Sequence, residues 1–120
     1  MKLSRKFILA ALLLVLMTGS ALAGAQNFKL YNYSGKTIVA VYIMPNWKPY
    51  FTEDDKFTGG GLPLRHGEST SINFTNDSDD QFWDMRVEYS NGTHESWSDL
   101  DLFRIYNVSI DRKGTIHWNF

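Results

Sequence analysis

Two short acidic segments hold the residues of this sequence that are best suited to bind a metal ion. The first contains Asp77, Asp79 and Asp80, and the second contains Asp99 and Asp101. Carboxylate oxygens on loops are ligands that Ca²⁺ prefers, so these five aspartates are a candidate calcium site. Their spacing is not that of an EF-hand, and Asp is also a common turn residue. A purely structural role in turns is the alternative interpretation.

The other residues that could do chemistry form no recognised catalytic motif. His66, His94 and His117 are isolated, and there is no G-x-S-x-G elbow, H-x-x-x-H pair or phosphate-binding glycine loop. The chain has no cysteine, which excludes a disulfide, a thiolate nucleophile and a Cys-ligated metal centre. We therefore predict that the protein is not an enzyme and needs no cofactor, with calcium as the exception to be tested.

A predicted hairpin places further candidates on one face of a sheet. The Asn-Gly pair at 91–92 is preferred in a two-residue type I′ turn. Such a turn would set Arg86 opposite Trp97 and Glu88 opposite Glu95. Arg86 and Trp97 would form a cation–π pair and are candidate ligand-binding residues. The two carboxylates could do acid–base chemistry only inside a cleft.

Residues 45–66 are the longest segment without a strand pattern, at 22 residues. Loops longer than about 15 residues are often functional, and this one contains Trp47, Tyr50, Phe51 and Phe57. Aromatic rings on an exposed loop suit a carbohydrate or protein contact. The alternative is that the rings fold back over the open edge or the core, because large rings are costly to expose.

The elements that must position these residues are strands, because the apolar residues alternate with a period of two. The predicted strands are Asn27–Tyr33, Thr37–Met44, Ser69–Thr75, Phe82–Tyr89, Thr93–Trp97, Arg104–Ile110 and Thr115–Phe120. Seven short strands with closely spaced turns indicate an all-β fold, a single antiparallel β-sandwich.

The same pattern makes finer predictions about individual residues. Ser98–Asp101 resembles a capped helical turn. Tyr106, Trp118 and Phe120 are predicted to face inward. If every connection reverses the chain, the two acidic segments lie at one end of the strands, together with Asn32–Lys36.

Residues 1–23 have the layout of a secretory signal peptide. Three basic residues precede an apolar run of 11 residues, Phe7–Met17, and Ala21-Leu22-Ala23 is a typical cleavage site. The run is shorter than the roughly 20 residues of a membrane-spanning helix. Its composition indicates a bacterial chain that is periplasmic or secreted, with residues 24–120 as the mature β-sandwich domain.

The charge of the mature segment excludes two classes of partner. Three of the 12 basic residues lie in 1–23, so residues 24–120 keep nine against 13 acidic residues, a formal charge of −4. This charge argues against nucleic acid and against an anionic membrane surface as partners.

Several short motifs occur in the order Asn32–Ile38, Val41–Pro45, Leu62-Pro63, Gly67–Ser69, Ile72–Phe74, Trp83–Val87 and Tyr89–Gly92. Together they resemble a family of small secreted bacterial β-sandwich proteins of unknown function. The resemblance covers about Phe28 to Ile110 and implies the fold and an exported location, but no activity. The chain departs from the family at Lys56–Gly61, where members carry a Trp- and Asp-containing stretch.

We therefore predict an exported, non-enzymatic binding or interaction module for an unidentified protein or carbohydrate ligand. The first alternative is a calcium-stabilised domain that uses the acidic residues. The second is a small exported hydrolase, which would need a deep pocket joining a histidine to Glu88 and Glu95.

Overall fold

The computed structural model describes residues 27–73 and 79–120 and confirms the all-β fold. The elements are β1 (Phe28–Asn32), β2 (Ile38–Pro45), a 3₁₀ helix (Glu53–Asp55), β3 (Ser69–Ile72), β4 (Phe82–Tyr89), β5 (His94–Asp101), β6 (Asn107–Ile110) and β7 (Ile116–Asn119). The predicted signal segment 1–23 lies outside the described residues, as do Phe74, Thr75 and Asp77. No helix within the described ranges is long and apolar enough to cross a bilayer.

The strands form two sheets that enclose one core as a β-sandwich. The four-stranded sheet has the order β3-β1-β6-β7, and the three-stranded sheet has the order β2-β4-β5. Neighbouring strands are antiparallel except β1 and β6, which are parallel. This pair departs from the antiparallel prediction. It is possible because a long stretch of chain separates β1 from β6, so no tight turn constrains their direction.

Alternating apolar residues build the core, as predicted. On β4 the buried side chains are Trp83, Met85, Val87 and Tyr89, while the residues between them face the other side of the sheet. On β1, Phe28 and Leu30 are likewise buried, and Lys29 between them is exposed. These two strands thus contribute every second residue to the space between the sheets.

The connection between β2 and β3, residues 46–68, runs the whole length of the sandwich, and we call it the long connection. It leaves β2 after Pro45 and ends beside Asn32, whose backbone N–H donates to the carbonyl of residue 68. On the way it forms isolated antiparallel bridges with Tyr42 and Ile38. This cover explains why β2 is buried on both faces along most of its length, as its continuous apolar sequence predicts.

The predicted clustering at one end is correct for the acidic residues but wrong for Asn32–Lys36. Asp80, Asp99 and Asp101 lie at the same end of the sandwich, beside the residues that follow Pro45 and the start of β4. The long connection passes from this end to the other without reversing the chain, so Asn32–Lys36 lies at the opposite end. Asp101 pairs with Phe82 at the start of β4. The carboxylate of Asp99 accepts a hydrogen bond from the side chain of Asn46, the residue directly after Pro45. We call these two ends the Pro45 end and the Asn32 end.

The β4–β5 hairpin has a three-residue turn at 90–92 instead of the predicted two-residue turn. The Tyr89 N–H donates to the Thr93 carbonyl at 2.8 Å. Gly92 has a φ of +88°, whereas Asn91 is not in the left-handed region, which a type I′ turn requires of both residues. The extra residue shifts the pairing of β5 against β4 by one position.

Ser98–Asp101 belongs to β5, and the predicted helical turn follows it instead. Asp101 begins this turn: its carboxylate accepts the Phe103 N–H at 3.2 Å and its carbonyl accepts the Ile105 N–H at 2.9 Å. The turn takes up the first residues predicted for the sixth strand and changes the alternation. Ile105 is therefore buried, and Tyr106, which was predicted to face inward, is exposed.

The aromatic residues of β7 and the C-terminus are also more exposed than predicted. Trp118 is 51% exposed and Phe120 is 55% exposed, although Ile116 packs against the core. Trp118 pairs with Val108, but β7 is the last strand of its sheet. Inward alternation does not ensure burial at an edge, because in the described part of the chain β7 has a neighbouring strand on one side only.

Asn32 is a fully buried polar residue that joins three segments at its end of the sandwich. Its Nδ2 donates to the carbonyls of Lys36 at 2.7 Å and Leu64 at 2.8 Å. Its Oδ1 accepts from the backbone N–H of Ser34 at 3.0 Å and from the hydroxyl of Ser34 at 2.6 Å. The side chain thus fixes the turn after β1 to the long connection, with its amide satisfied by hydrogen bonds.

Candidate functional site

The four aromatic residues predicted on the long connection divide between the interior and the surface. Phe57 is buried in the core, and Phe51 is half-buried with its ring edge-on to Tyr42 at a centroid distance of 6.4 Å. Trp47 and Tyr50 are 68% and 69% exposed. Two of the rings therefore fold back as the alternative interpretation held, and two stay available for contact.

Arg86 and Trp97, predicted as a cation–π pair, lie on opposite faces of the three-stranded sheet. Trp97 pairs with Met85 and packs against the core, and its indole N–H donates to the Gly114 carbonyl at 2.9 Å. Arg86 pairs with Ser96 and lies on the outer face. The prediction is wrong because a one-residue shift in register moves every side chain of a strand to the other face.

The same shift separates Glu88 from Glu95. Glu88 lies on the outer face beside Arg86, whereas Glu95 pairs with Val87. The hydroxyl of Tyr89 donates to Glu95 at 2.5 Å. Burial raises the pKa of Tyr89, and the hydrogen bond to Glu95 raises it further. The predicted pair of facing carboxylates is not formed.

Three of the predicted calcium ligands are occupied by donors of the protein itself. Asp80 accepts from the Trp47 indole at 3.0 Å, Asp99 from the Asn46 amide at 2.8 Å, and Asp101 from Gln81 at 3.1 Å and Arg104 at 2.9 Å. Asp79 is exposed, and Asp77 lies outside the described residues. Within 27–73 and 79–120, no three His, Cys, Asp or Glu side chains are grouped to hold a metal ion.

An open groove lies on the outer face of the four-stranded sheet, and we call it the tyrosine groove. Its volume is about 310 Å³. Its polar lining residues are Tyr31, Tyr33, Asn107, Ser109, His117 and Asn119, and Val108 and Trp118 complete the lining. These residues come from β1 and the segment just after it, from β6 and from β7, so three adjacent strands form the groove.

Cross-strand pairing sets the order of side chains in the tyrosine groove. Tyr31 pairs with Ser109, which in turn pairs with His117, so a small hydroxyl residue lies between two rings. The rings of Tyr31 and Tyr33 are stacked, with centroids 6.2 Å apart and an 18° angle between their planes. The His117 ring is held by Asp111 at 2.9 Å, and this hydrogen bond lowers the pKa of Asp111.

The lining of the tyrosine groove is polar. In the described part of the chain it contains phenol, hydroxyl, amide and imidazole groups and no Asp, Glu, Lys or Arg. Two charged side chains lie next to it: the Lys29 ammonium is 5.5 Å from the centre of the Tyr31 ring, and Asp111 binds His117. Hydroxyl and amide groups can both donate and accept hydrogen bonds. Aromatic faces add flat apolar surface. The groove therefore suits a neutral ligand that has many hydroxyl groups and some apolar C–H surface.

Sequence reasoning missed the tyrosine groove, although one signal was present. In the predicted strand Asn27–Tyr33, Tyr31 follows the apolar Leu30, so the alternation directs Tyr31 away from the core, and its place in the groove agrees with this. Its neighbours Asn107 and Ser109 reach it through the parallel pairing of β1 with β6. No local turn signal indicates that pairing, so these residues could not be assigned to one site.

A smaller cavity of about 220 Å³ lies between the three-stranded sheet and the long connection, and we call it the Arg86 cavity. It is lined by Tyr42, Phe51, Thr52, Glu53, Arg86 and Glu88. Arg86 contacts Glu88 at 3.0 Å, and the Tyr42 hydroxyl donates to Glu53 at 3.2 Å. Burial raises the pKa of Tyr42, and the charges of Glu88 and Glu53 raise it further.

Comparison with known proteins gives no relative for this chain: no family model, no curated protein and no solved structure matches it. The family resemblance described above stays a prediction.

Proposed function

We propose that the protein is an exported, non-enzymatic binding module that recognises a neutral saccharide in the tyrosine groove. The observation that carries this proposal is the lining of the groove, in which stacked tyrosines stand beside uncharged hydroxyl and amide groups. Export rests on the signal-peptide pattern of residues 1–23.

The lining favours a saccharide over the other common ligand classes. The described lining offers a charged ligand no Asp, Glu, Lys or Arg, and an unpaired charge is costly when water is displaced. A purely apolar ligand would desolvate the amide and hydroxyl groups without replacing their hydrogen bonds. A sugar ring offers both hydroxyl groups and an apolar C–H face, and the volume of about 310 Å³ suits a small ligand.

The proposal is tested by titrating the purified protein with neutral oligosaccharides such as cellotetraose, xylotetraose and maltotetraose, using isothermal calorimetry. We expect at least one of them to bind the unmodified protein. Tyr31→Ala should weaken that binding about tenfold, because it removes the stacking surface. Tyr106→Ala is the matched control, since Tyr106 is exposed and does not line the groove.

Two results would contradict the proposal. One is that none of the neutral oligosaccharides binds. The other is that Trp47→Ala or Tyr50→Ala abolishes binding while Tyr31→Ala does not, because the ligand would then contact the long connection instead of the groove.

A further inference from the structure

The Arg86 cavity contains charged groups whose interactions are incomplete. It is formed where the long connection folds over β2 and β4, so its walls come from two separate parts of the chain. Arg86 is its one cationic lining residue, against the two carboxylates of Glu53 and Glu88. The cavity therefore has one carboxylate more than it has cations.

Glu53 is exposed to solvent and is the carboxylate of this lining that has no ion pair within the described residues. Glu88 is bound by Arg86 at 3.0 Å, whereas the hydrogen-bond partner of Glu53 is the uncharged hydroxyl of Tyr42. In the described part of the chain, no Lys, Arg or His forms an ion pair with Glu53. A ligand with a positive group would complete this side of the cavity.

Arg86 has a guanidinium N–H that lacks a hydrogen-bond acceptor. Its Nε has no accessible surface and no hydrogen-bond partner in the described part of the chain. A buried N–H without an acceptor has lost its hydrogen bond to water and gained none in return, which is destabilising. The Nε–Nη2 edge of a guanidinium normally binds both oxygens of a carboxylate, but here only Nη2 is used, by Glu88. A ligand with a negative group would complete this side.

We propose that the Arg86 cavity binds a small zwitterion of the α-amino acid class. The ligand carboxylate takes both nitrogens of the Nε–Nη2 edge as the guanidinium turns toward the cavity and releases Glu88. Glu88 is then free to bind the ligand ammonium together with Glu53. The ring of Phe51 covers an aliphatic side chain, and the cavity of about 220 Å³ is small enough to favour a single amino acid.

A ligand with only one charge fits the cavity less well. An isolated carboxylate would meet Arg86 but also the two carboxylates of Glu53 and Glu88. An isolated ammonium would bind Glu53 and leave the Nε of Arg86 without an acceptor. Only a molecule that carries both charges close together gives the buried Nε of Arg86 an acceptor and also pairs its ammonium with the carboxylates. This site is independent of the tyrosine groove on the other sheet.

The proposal is tested with valine and its two halves, in titrations followed by NMR of the purified protein. Isobutylamine is valine without the carboxylate, and isovalerate is valine without the ammonium. We expect valine to shift the signals of Arg86 and Glu88 and to bind about tenfold tighter than either half. We also expect 5-aminopentanoate, whose charges lie farther apart, to bind more weakly than valine.

Variants of the unmodified chain assign the binding to the cavity. Glu53→Gln and Arg86→Lys should each weaken valine binding about tenfold, since the first removes a charge and the second removes the planar guanidinium edge. Glu68→Gln is the control, because Glu68 pairs with Arg65 at the Asn32 end. Thermal melts confirm that each variant is folded.

Several outcomes would overturn the zwitterion site. One is that valine causes no change in the NMR signals of the protein. Another is that isobutylamine or isovalerate binds as tightly as valine. Tighter binding of 5-aminopentanoate would contradict the α spacing. Since saccharide binding is measured at the other sheet, its failure would leave this result unaffected, and the reverse holds as well.

Discussion

The two outer faces of the sandwich differ in what covers them. The four-stranded sheet has an outer face open to solvent, with Tyr31 and Tyr33 in a groove whose described lining has no Asp, Glu, Lys or Arg. The three-stranded sheet is partly covered by the long connection, which encloses Arg86 and Glu88 in a smaller, charged cavity. An open face offers surface for stacking, whereas a covered face can bring charges from distant segments together and partly desolvate them.

The strand sequences explain which face is covered. On β2, outward-facing Ala40, Tyr42 and Met44 are apolar or aromatic and all buried, so this strand needs a cover on its outer side. On β1 the outward residues include Lys29 and Tyr31, which tolerate solvent. The strand that is apolar on both faces is thus the one that the long connection covers. The strand with alternating apolar and polar residues has its outer face exposed to solvent.

The largest expected effect that would test this difference is on stability. Tyr42→Ala should lower the free energy of unfolding by about 3 kcal/mol, because it removes a buried ring from under the long connection. Tyr33→Ala should lower it by less than about 1 kcal/mol, since Tyr33 is 46% exposed. Urea unfolding measures both values. Equal losses would mean that the two faces are covered alike.

A smaller effect is expected when the cover is loosened and the sheet beneath it is left unchanged. The carboxylate of Asp55 accepts the Thr52 N–H at 2.7 Å and pairs with Lys48 at 2.7 Å. Asp55→Ala should destabilise the long connection by about 1–2 kcal/mol. The readout is faster hydrogen exchange of the Phe57 amide, which donates to the Val41 carbonyl at 2.8 Å.

The matched control for that variant is Asp54→Ala, at an exposed neighbouring position in the same 3₁₀ helix. It should leave the exchange rates unchanged. If Asp55→Ala accelerates amide exchange on β1 and β6 as much as on the long connection, the cover is not a separate unit from the open face.

Tyr42, which lies under the long connection, should make the stability of the protein depend on pH in the alkaline range. Burial and the charges of Glu88 and Glu53 raise the pKa of Tyr42 in the folded protein. The protonated phenol of Tyr42 therefore contributes fully to folding stability below the ordinary tyrosine pKa of about 10. This contribution is lost as the pH rises beyond that value, because the phenolate is more stable in the unfolded chain. Denaturation at pH 9 and pH 11 should show a smaller loss for Tyr42→Phe than for the unmodified protein.

Glu53→Gln provides an internal check on this cause. It removes one of the two charges that raise the pKa of Tyr42, so the alkaline loss should be intermediate. A loss identical in all three proteins would show that the phenol of Tyr42 is not shielded by the cover.

The smallest expected effect is the response of binding to salt. Valine binding in the Arg86 cavity should weaken about twofold between low salt and about 0.5 M NaCl, because its charged contacts are partly screened. Saccharide binding in the tyrosine groove should not change, because a neutral ligand forms no ion pair with this lining. A salt-dependent saccharide affinity measured by the same calorimetry would contradict the chemical distinction between the faces.

The sequence was a good guide to strands and a poor guide to sites. Alternation predicted β4 with its observed bounds, and the continuous apolar run predicted the burial of β2. The Asn-Gly signal at 91–92 predicted a turn there but not its length, because Gly92 can adopt the left-handed conformation in either turn. That single residue of difference displaced the predicted pairing of Arg86 with Trp97.

The partners within each site depend on contacts between distant segments. Glu53 meets Tyr42 because the long connection folds back along β2, and Ser109 meets Tyr31 because β1 and β6 are parallel. Neither arrangement has a signal in the local sequence. Outward-facing residues such as Tyr31 and Arg86 were predictable one at a time, but their grouping was not.

The buried side chain of Asn32 has a consequence for producing this protein. Asn32-Tyr33-Ser34 is an acceptor sequence for N-linked glycans. A eukaryotic secretory host that attached a sugar to Nδ2 before folding would block both hydrogen bonds, to the carbonyls of Lys36 and Leu64. The glycan could not be accommodated at a fully buried position. Glycosylated chains should therefore be retained as misfolded protein, and a host without this modification is required.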